Sequence, residues 1–480
     1  MKDLVKLAID ELRFLGCDYG DIRLGTILQE GSVLKNEDGL AIEDSFTEGF
    51  GVRVLYRGSW GFASSNTISA EEIKRVVRSA YNIALESSKV SSDKIVLAPE
   101  DAYVDFWFTP ILIDPFKISR EHKISLLQEI NKKLRVDTRI VEALSYLNFR
   151  KEHKFIGNTE GTLVEQIRYI SAIYYHARSS GNGDSQIRSF PMSHGGQVAT
   201  GGFEIVESVK PLENVDRIRE EAISLLYAPE CPQGIMDLIL DPTQLALQIH
   251  ESCGHPSELD RVLGKEESFA GSSFLTLDKY KKFRYGSEIV NLFADQGIAG
   301  GLGTYGYDDE GVRSRRFYVV KDGIFCGYQQ DRENAQKIGE RSHGNSRAET
   351  PWHCPIIRNT NISLLPGKAE LKELFEATEN GIYMENNKCW SIDQKRLNFQ
   401  FGCEIGYIIR NGKKVGIVKN PAYWGITDEF WKSCDMIANE NYWKLYGVPN
   451  CGKGEPLQSA GMSHGASPAR FKSVHIGWKT

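Results

Sequence analysis

The sequence predicts an α+β protein: a mixed α/β N-terminal region followed by a β-rich catalytic domain, sandwich- or barrel-like, that carries a metal-binding helix. Three observations predict it. Amphipathic helices and short strands alternate through the first 228 residues. From residue 235 onward, hairpins with tight turns dominate. Between these regions lies Asp241–Asp260, DPTQLALQIHESCGHPSELD, a helix-like stretch that ends in His-Glu-x-x-x-His. A chain of 480 residues exceeds one core, and the pattern divides it into 1–96, 110–228 and 235–480.

The elements follow in order. MKDLVKLAIDELRFLG alternates charged and apolar residues at helical spacing, which marks a folded amphipathic helix and not a signal peptide. Tyr19 to Phe62 is strand-rich, with turns expected at Asn36–Gly39 and Tyr56–Gly58. Ser69 opens a second helix with Glu71 and Glu72 in its first turn and apolar residues at 73, 76, 77, 80, 83 and 84. Residues 97 to 118, with Pro99, Pro110 and Pro115, read as an irregular connection, and a third helix begins near Ser119. Arg139 to Thr200 reads as short strands with Gly/Ser-rich turns, and Pro211 to Tyr227 as an amphipathic segment. Pro229–Gly234 marks the main boundary. Beyond it, Asp322-Gly323 and Asn411-Gly412 are type I′ hairpin turns.

Composition narrows the function classes. Charged residues make up 25% and hydrophobic ones 41%, the balance of a soluble globular protein. A net charge of −6 offers no general attraction to nucleic acid or to an anionic membrane. No apolar run reaches the roughly 18 residues of a membrane span. The nine scattered cysteines contain no Cys-x-x-Cys pair, so they are neither a disulfide framework nor a zinc knuckle, and they point to a reducing cytoplasm. The run Gly297–Gly306 opens no helix and lacks a Gly-Lys-Ser/Thr, so it reads as a flexible loop near the active site and not as a nucleotide cradle.

The chemistry sits in the central stretch. Asp241 suits a helix N-cap, Pro242 the first turn, and Gln244 the partner position of a capping box. His250 and His255 are five apart, which on a straight α-helix separates them by about 140°. A π-bulge, or a helix ending near Gly254 and Pro256, brings both to one metal. Catalytic zinc takes three protein ligands and keeps one position open. Cys451, in Pro-Asn-Cys-Gly-Lys-Gly, is the best candidate for the third ligand, with Lys453 favouring its thiolate. His464 and His475 are rivals, and Cys253 is too close to both histidines along the chain to reach the same ion.

The whole chain resembles the TldD/PmbA family, in its protease-competent TldD branch. The resemblance is carried by Gly49–Val54, Gly61–Ala63, Asn158–Gly161, His250-Glu251-Ser-Cys-Gly-His255, Asp308–Gly311, Gly327–Arg332 and Cys451–Lys453, in order across nearly all 480 residues. It implies a zinc metalloprotease acting on unfolded peptides or peptide-derived substrates, with His250, His255 and Cys451 as ligands and Glu251 as catalytic base. It also implies a dimer, either of like subunits or with a homologue lacking the metal motif. Two segments depart from the family pattern: Cys389–Asp393 and Gly461–Gly465. Two other readings compete: a binding or regulatory subunit with a structural metal, and a modulator of nucleic-acid enzymes, which the acidic charge and lack of a basic stripe disfavour.

Overall fold

The computed structural model describes residues 1–479. The N-terminal half is organised on one long, mostly antiparallel sheet. Helix α1 (Lys2–Phe14) precedes β1 (Tyr19–Lys35), β2 (Gly39–Tyr56) and β3 (Ser59–Ser65), and α2 (Ala70–Val90) packs on them. The turns fall where the sequence places them: Asn36, Arg57 and Gly58 all adopt positive φ. Ser69 caps α2 by accepting from the Glu72 amide. That helix buries Ile73, Val76, Val77, Ala80 and Ala84, whereas Ile83, expected on the same face, is 45% exposed.

Three differences from the expected pattern stand out. The connection at 97–118 contains an edge strand, β4 (Val104–Phe108). After α3 (Arg120–Leu134), the stretch read as short strands forms two 19-residue strands, β5 (Ile140–Asn158) and β6 (Leu163–Gly181). Alternate residues are buried over Ala143–Phe149 of β5 and Val164–Arg168 of β6, so the polar positions there need no turn between them. The third difference is continuity. The sheet order β3-β2-β1-β5-β6-β4, with β7 (Asp184–Phe190) and β8 (Gln197–Thr200) also on β6, joins strands from both N-terminal stretches. α4 (Pro211–Leu225) covers its far end through Val215, Ile218 and Ala222.

The C-terminal half closes a barrel. β9 (Gly234–Leu240) pairs in parallel with β10 (Asn380–Ile392), which pairs with β11 (Asn398–Arg410), then β12 (Ala422–Ile426), then β15 (Ala469–Ile476), which returns to β9. Between β12 and β15 a hairpin, β13 (Lys444–Lys453) and β14 (Gln458–Ala466), stands apart as its own two-stranded sheet. Both predicted hairpin turns form, with Asp322-Gly323 and Asn411-Gly412 at positive φ.

The barrel sets the site. β9 runs directly into helix α5 (Pro242–Ile249), every residue of which is buried. An all-buried helix needs apolar residues on every side, and Leu245, Ala246, Leu247 and Ile249 supply them. The buried amides of Gln244 and Gln248 both hydrogen-bond the Tyr423 hydroxyl, at 2.8 Å each. Asp241 caps the helix from its carboxylate to the Thr243 amide at 2.7 Å. The capping box does not form, because Gln244 is turned inward to Tyr423.

Candidate metal centre

Helix α5 passes at His250 into a π-helical turn over His250–Gly254, closed by the His255 amide donating to the His250 carbonyl. This is the first of the two alternatives that the five-residue spacing offers. The rings of His250 and His255 lie with centroids 4.7 Å apart. Gly254 is needed for the packing: a Cβ there would sit 1.9 Å from the Asn359 side chain. The chain then turns through Pro256 into a short 3₁₀ segment.

Across from the turn, the β13–β14 hairpin delivers Cys451. Its Sγ lies 3.3 Å from His255 Nε2, and one ligand atom from each of His250, His255 and Cys451 falls within 4.8 Å of the others. In a tetrahedral zinc shell, sulfur at ~2.3 Å and nitrogen at ~2.0 Å place neighbouring donors ~3.5 Å apart. The residues present therefore fit a zinc-type shell with three protein donors and a fourth position to spare. None of His250, Glu251, His255 and Cys451 is more than 6% exposed.

The surrounding hydrogen bonds fix which ring nitrogens face inward. The Ile362 carbonyl only accepts, so His464 Nδ1 donates to it at 2.9 Å and His464 Nε2 is left as acceptor. His250 Nδ1, 2.9 Å from that Nε2, must then donate, which leaves the His250 Nε2 lone pair for a metal. On the other side, His255 Nδ1 donates to Glu258 Oε2 at 3.0 Å and keeps its own Nε2 free. Glu258 also accepts from the Asn359 amide. Burial opposes the charge on Glu258, yet Lys453 and His255 hold its carboxyl well below the usual range. Burial drives both histidines towards the neutral form that can bind a metal, His255 down to about 3. It pushes the Cys451 thiol up to about 11.

Lys453 does not stand at the sulfur, as the sequence led us to expect. Its ammonium is held by Asp260 at 2.8 and 2.9 Å and by the Ile357 carbonyl. The main cation acting on Cys451 is Arg358, which bonds the Cys451 carbonyl. The rival ligands sit elsewhere. His464 stands behind His250, and His475 stacks on Trp424 with centroids 4.1 Å apart. Cys253 faces the Tyr285 hydroxyl at 2.9 Å.

Glu251 is buried beside the donor triangle, and Arg396 donates to its Oε2 at 2.5 Å. Burial raises its carboxyl above the ordinary value, against the pull of Arg396 and a hydrogen bond from Trp390. Thus the departing segment Cys389–Asp393 reaches Glu251 through Trp390. Trp390 also meets His194, whose ring is 5.5 Å away. Sequence reasoning missed Arg396, Glu258, Asn359 and His194; the only local signal is the Glu three residues after His255. In the glycine run 297–306 the Leu302 amide donates to Ser463 Oγ and the Gly303 amide to Asn361 Oδ1, both at 2.8 Å. Replacing His464 with Phe keeps a ring but removes the acceptor behind His250. Metal affinity is expected to fall about 10–100-fold by competition against a chelator; unchanged affinity would remove His464 from the site.

Comparisons with known proteins identify the family. Residues 233–477 match the PmbA/TldA metallopeptidase C-terminal domain, 40–84 its domain 1 and 113–226 its central domain. The metalloprotease MJ0996 of Methanocaldococcus jannaschii is 32% identical over 426 residues, 87% of this chain and 88% of that one. Among solved structures, a Thermotoga maritima protein named for modulation of a DNA gyrase has a TM-score of 0.77 at 18% identity, covering 99% of each chain. TldE from Thermococcus kodakarensis has a TM-score of 0.73 at 15% identity, covering all of both. The class these define is that of a metal-dependent peptidase. The chain belongs to the PmbA/TldD metallopeptidase family and is a metalloprotease. No helix among the described residues is long and apolar enough to cross a membrane.

Proposed function

We propose that the protein is a zinc peptidase in which His250, His255 and Cys451 hold the ion and Glu251 is the general base, acting on unfolded peptides or peptide-derived substrates. The observation that carries this reading is the convergence of two neutral imidazoles and a thiol on one point beside a buried carboxylate. Zinc bound there supplies Lewis acidity, acidifying water and polarising the scissile carbonyl. Glu251 takes the proton of the attacking water and returns it to the leaving amine. Arg396 fixes one carboxylate oxygen, and the apolar burial that raises the Glu251 carboxyl keeps it basic enough to accept. Glu258 and His464 hold the two imidazoles in the metal-binding tautomer.

One observation favours a second reading. A base closely paired with arginine loses basicity, and the Glu251–Arg396 pair suits a structural metal in a binding or regulatory subunit. The Glu251→Gln variant separates the two, as set out in the Discussion.

The sheet edges of the strand-rich fold support an extended peptide bound by backbone hydrogen bonds, with weak side-chain selectivity. A single substrate protein compared before and after denaturation tests this. Cleavage is expected only of the unfolded form, and equal rates on both forms would refute it. The working unit in this reading is a dimer, with a second copy or with a homologue lacking the metal motif; the shared fold of TldE supports the latter. Nine free cysteines support a cytoplasmic setting. The chain is read as three units, 1–96, 110–228 and 235–480, the first two sharing a sheet.

A further inference from the structure

A cleft of about 280 Å³ opens where the N-terminal sheet meets the β13–β14 hairpin. Its walls include Arg168, Leu302, Tyr305, Arg347, Ala460 and Gly461. Ala460 is the cross-strand partner of Cys451, so the cleft shares a wall with the metal-side hairpin.

Three of the four cations of this cleft are held by carboxylates. Lys154 is paired with Asp309 at 2.6 Å, and Arg150 and Arg168 divide the single Glu152 carboxylate between them. Glu349, at the rim, accepts from the Ser459 amide. The Asp308 carboxylate is occupied by backbone, accepting from the Glu310, Val312 and Ser346 amides. Arg347 is left over. It is 7% exposed and, among the described residues, forms no ion pair; its one acceptor is the Gly461 carbonyl at 2.9 Å. Its guanidinium stands 5.4 Å from the Tyr305 ring centre. Burial, with Arg168 and Arg358 nearby, lowers this guanidinium to about 10 against the pull of Tyr305 and Asp309. Beside it, Arg168 is 8% exposed and its Nε is buried with no partner. Buried cations are ordinarily paired, so an unpaired guanidinium and an orphaned N–H in one cavity mark a site that expects an anion.

We propose that this cleft receives a carboxylate of the peptide substrate, with Arg347 as the residue that recognises it and Arg168 as the second donor. The proposal rests on the peptidase reading above and names a substrate preference for it. Arg347 presents a fork that matches a carboxylate, and only one of its donors is engaged within the protein. Two sources carry this group: the free α-carboxylate at a peptide C-terminus, and an acidic side chain.

The test uses one unstructured peptide in three forms: free acid, C-terminal amide, and free acid with its Glu changed to Gln. Turnover is measured on the full-length, metal-loaded protein, and fluorescence anisotropy of the same labelled peptides reads binding independently of cleavage. Loss of a charge-assisted contact is expected to lower kcat/KM about 10–100-fold, through KM. If amidation alone has this effect, the α-carboxylate is the ligand; if the Gln form alone has it, the side chain is. Arg347→Gln should abolish the discrimination, while Arg347→Lys should retain part of it. Equal binding and turnover of all three forms by the wild-type protein overturns the proposal without any variant needing to fold. Discriminating binding without cleavage keeps the carboxylate site but fails the peptidase reading.

Discussion

Replacing Glu251 with Gln is expected to lower peptide turnover about 10²–10⁴-fold while leaving the metal bound. The amide keeps the size and most of the hydrogen bonding of the carboxylate, including an oxygen for Arg396, which donates to Glu251 Oε2 in the native protein. What it loses is the capacity to accept a proton from water. General-base assistance is typically worth about 3–5 kcal/mol of barrier, which sets that range. Metal retention follows because Glu251 is outside the donor triangle of His250, His255 and Cys451. Turnover near the wild-type rate in a metal-loaded Glu251→Gln protein would leave the carboxylate as a partner for Arg396 only, and the structural-metal reading would take its place.

The second large effect is loss of metal and activity together in His250→Ala and in Cys451→Ser. His250 contributes one of only three protein donors, and both ligands are buried where water cannot substitute freely. A hydroxyl is a poor replacement for a thiolate towards zinc, so serine should fail at residue 451 nearly as completely as alanine at residue 250. Elemental analysis of the purified variants checks this. Stoichiometric zinc in Cys451→Ser would remove that residue from the shell.

Much of this centre was legible from the sequence because its core is local. The five-residue spacing of His250 and His255, with Gly254 and Pro256 beside the second histidine, forces an irregular turn, and the π-helical His250–Gly254 is that turn. Residues that act from a distance in the chain left no such mark. Arg396 reaches Glu251 across 145 positions, from a loop after β10 in which it adopts a φ of 62°. Asn359 meets the turn because Gly254 has no side chain, a fit visible only in three dimensions. Lys453 shares a strand face with Cys451 and favours its thiolate, as the sequence suggests, but its ammonium is bound to Asp260 and Arg358 acts more strongly on the thiol, which the sequence did not show. The fold shows the same division. Caps and hairpin turns at Ser69, Asp322-Gly323 and Asn411-Gly412 have local chemistry and were readable. The closure of the barrel depends on β9 pairing with β10 and β15, more than 140 and 220 residues away, which no local pattern encodes.

The central claim is the donor set itself, and X-ray absorption at the zinc K-edge of the metal-loaded protein tests it most directly. The account predicts one sulfur neighbour at ~2.3 Å and nitrogen or oxygen neighbours at ~2.0–2.1 Å, two of them imidazole. A first shell made only of nitrogen and oxygen in the wild-type protein would contradict it.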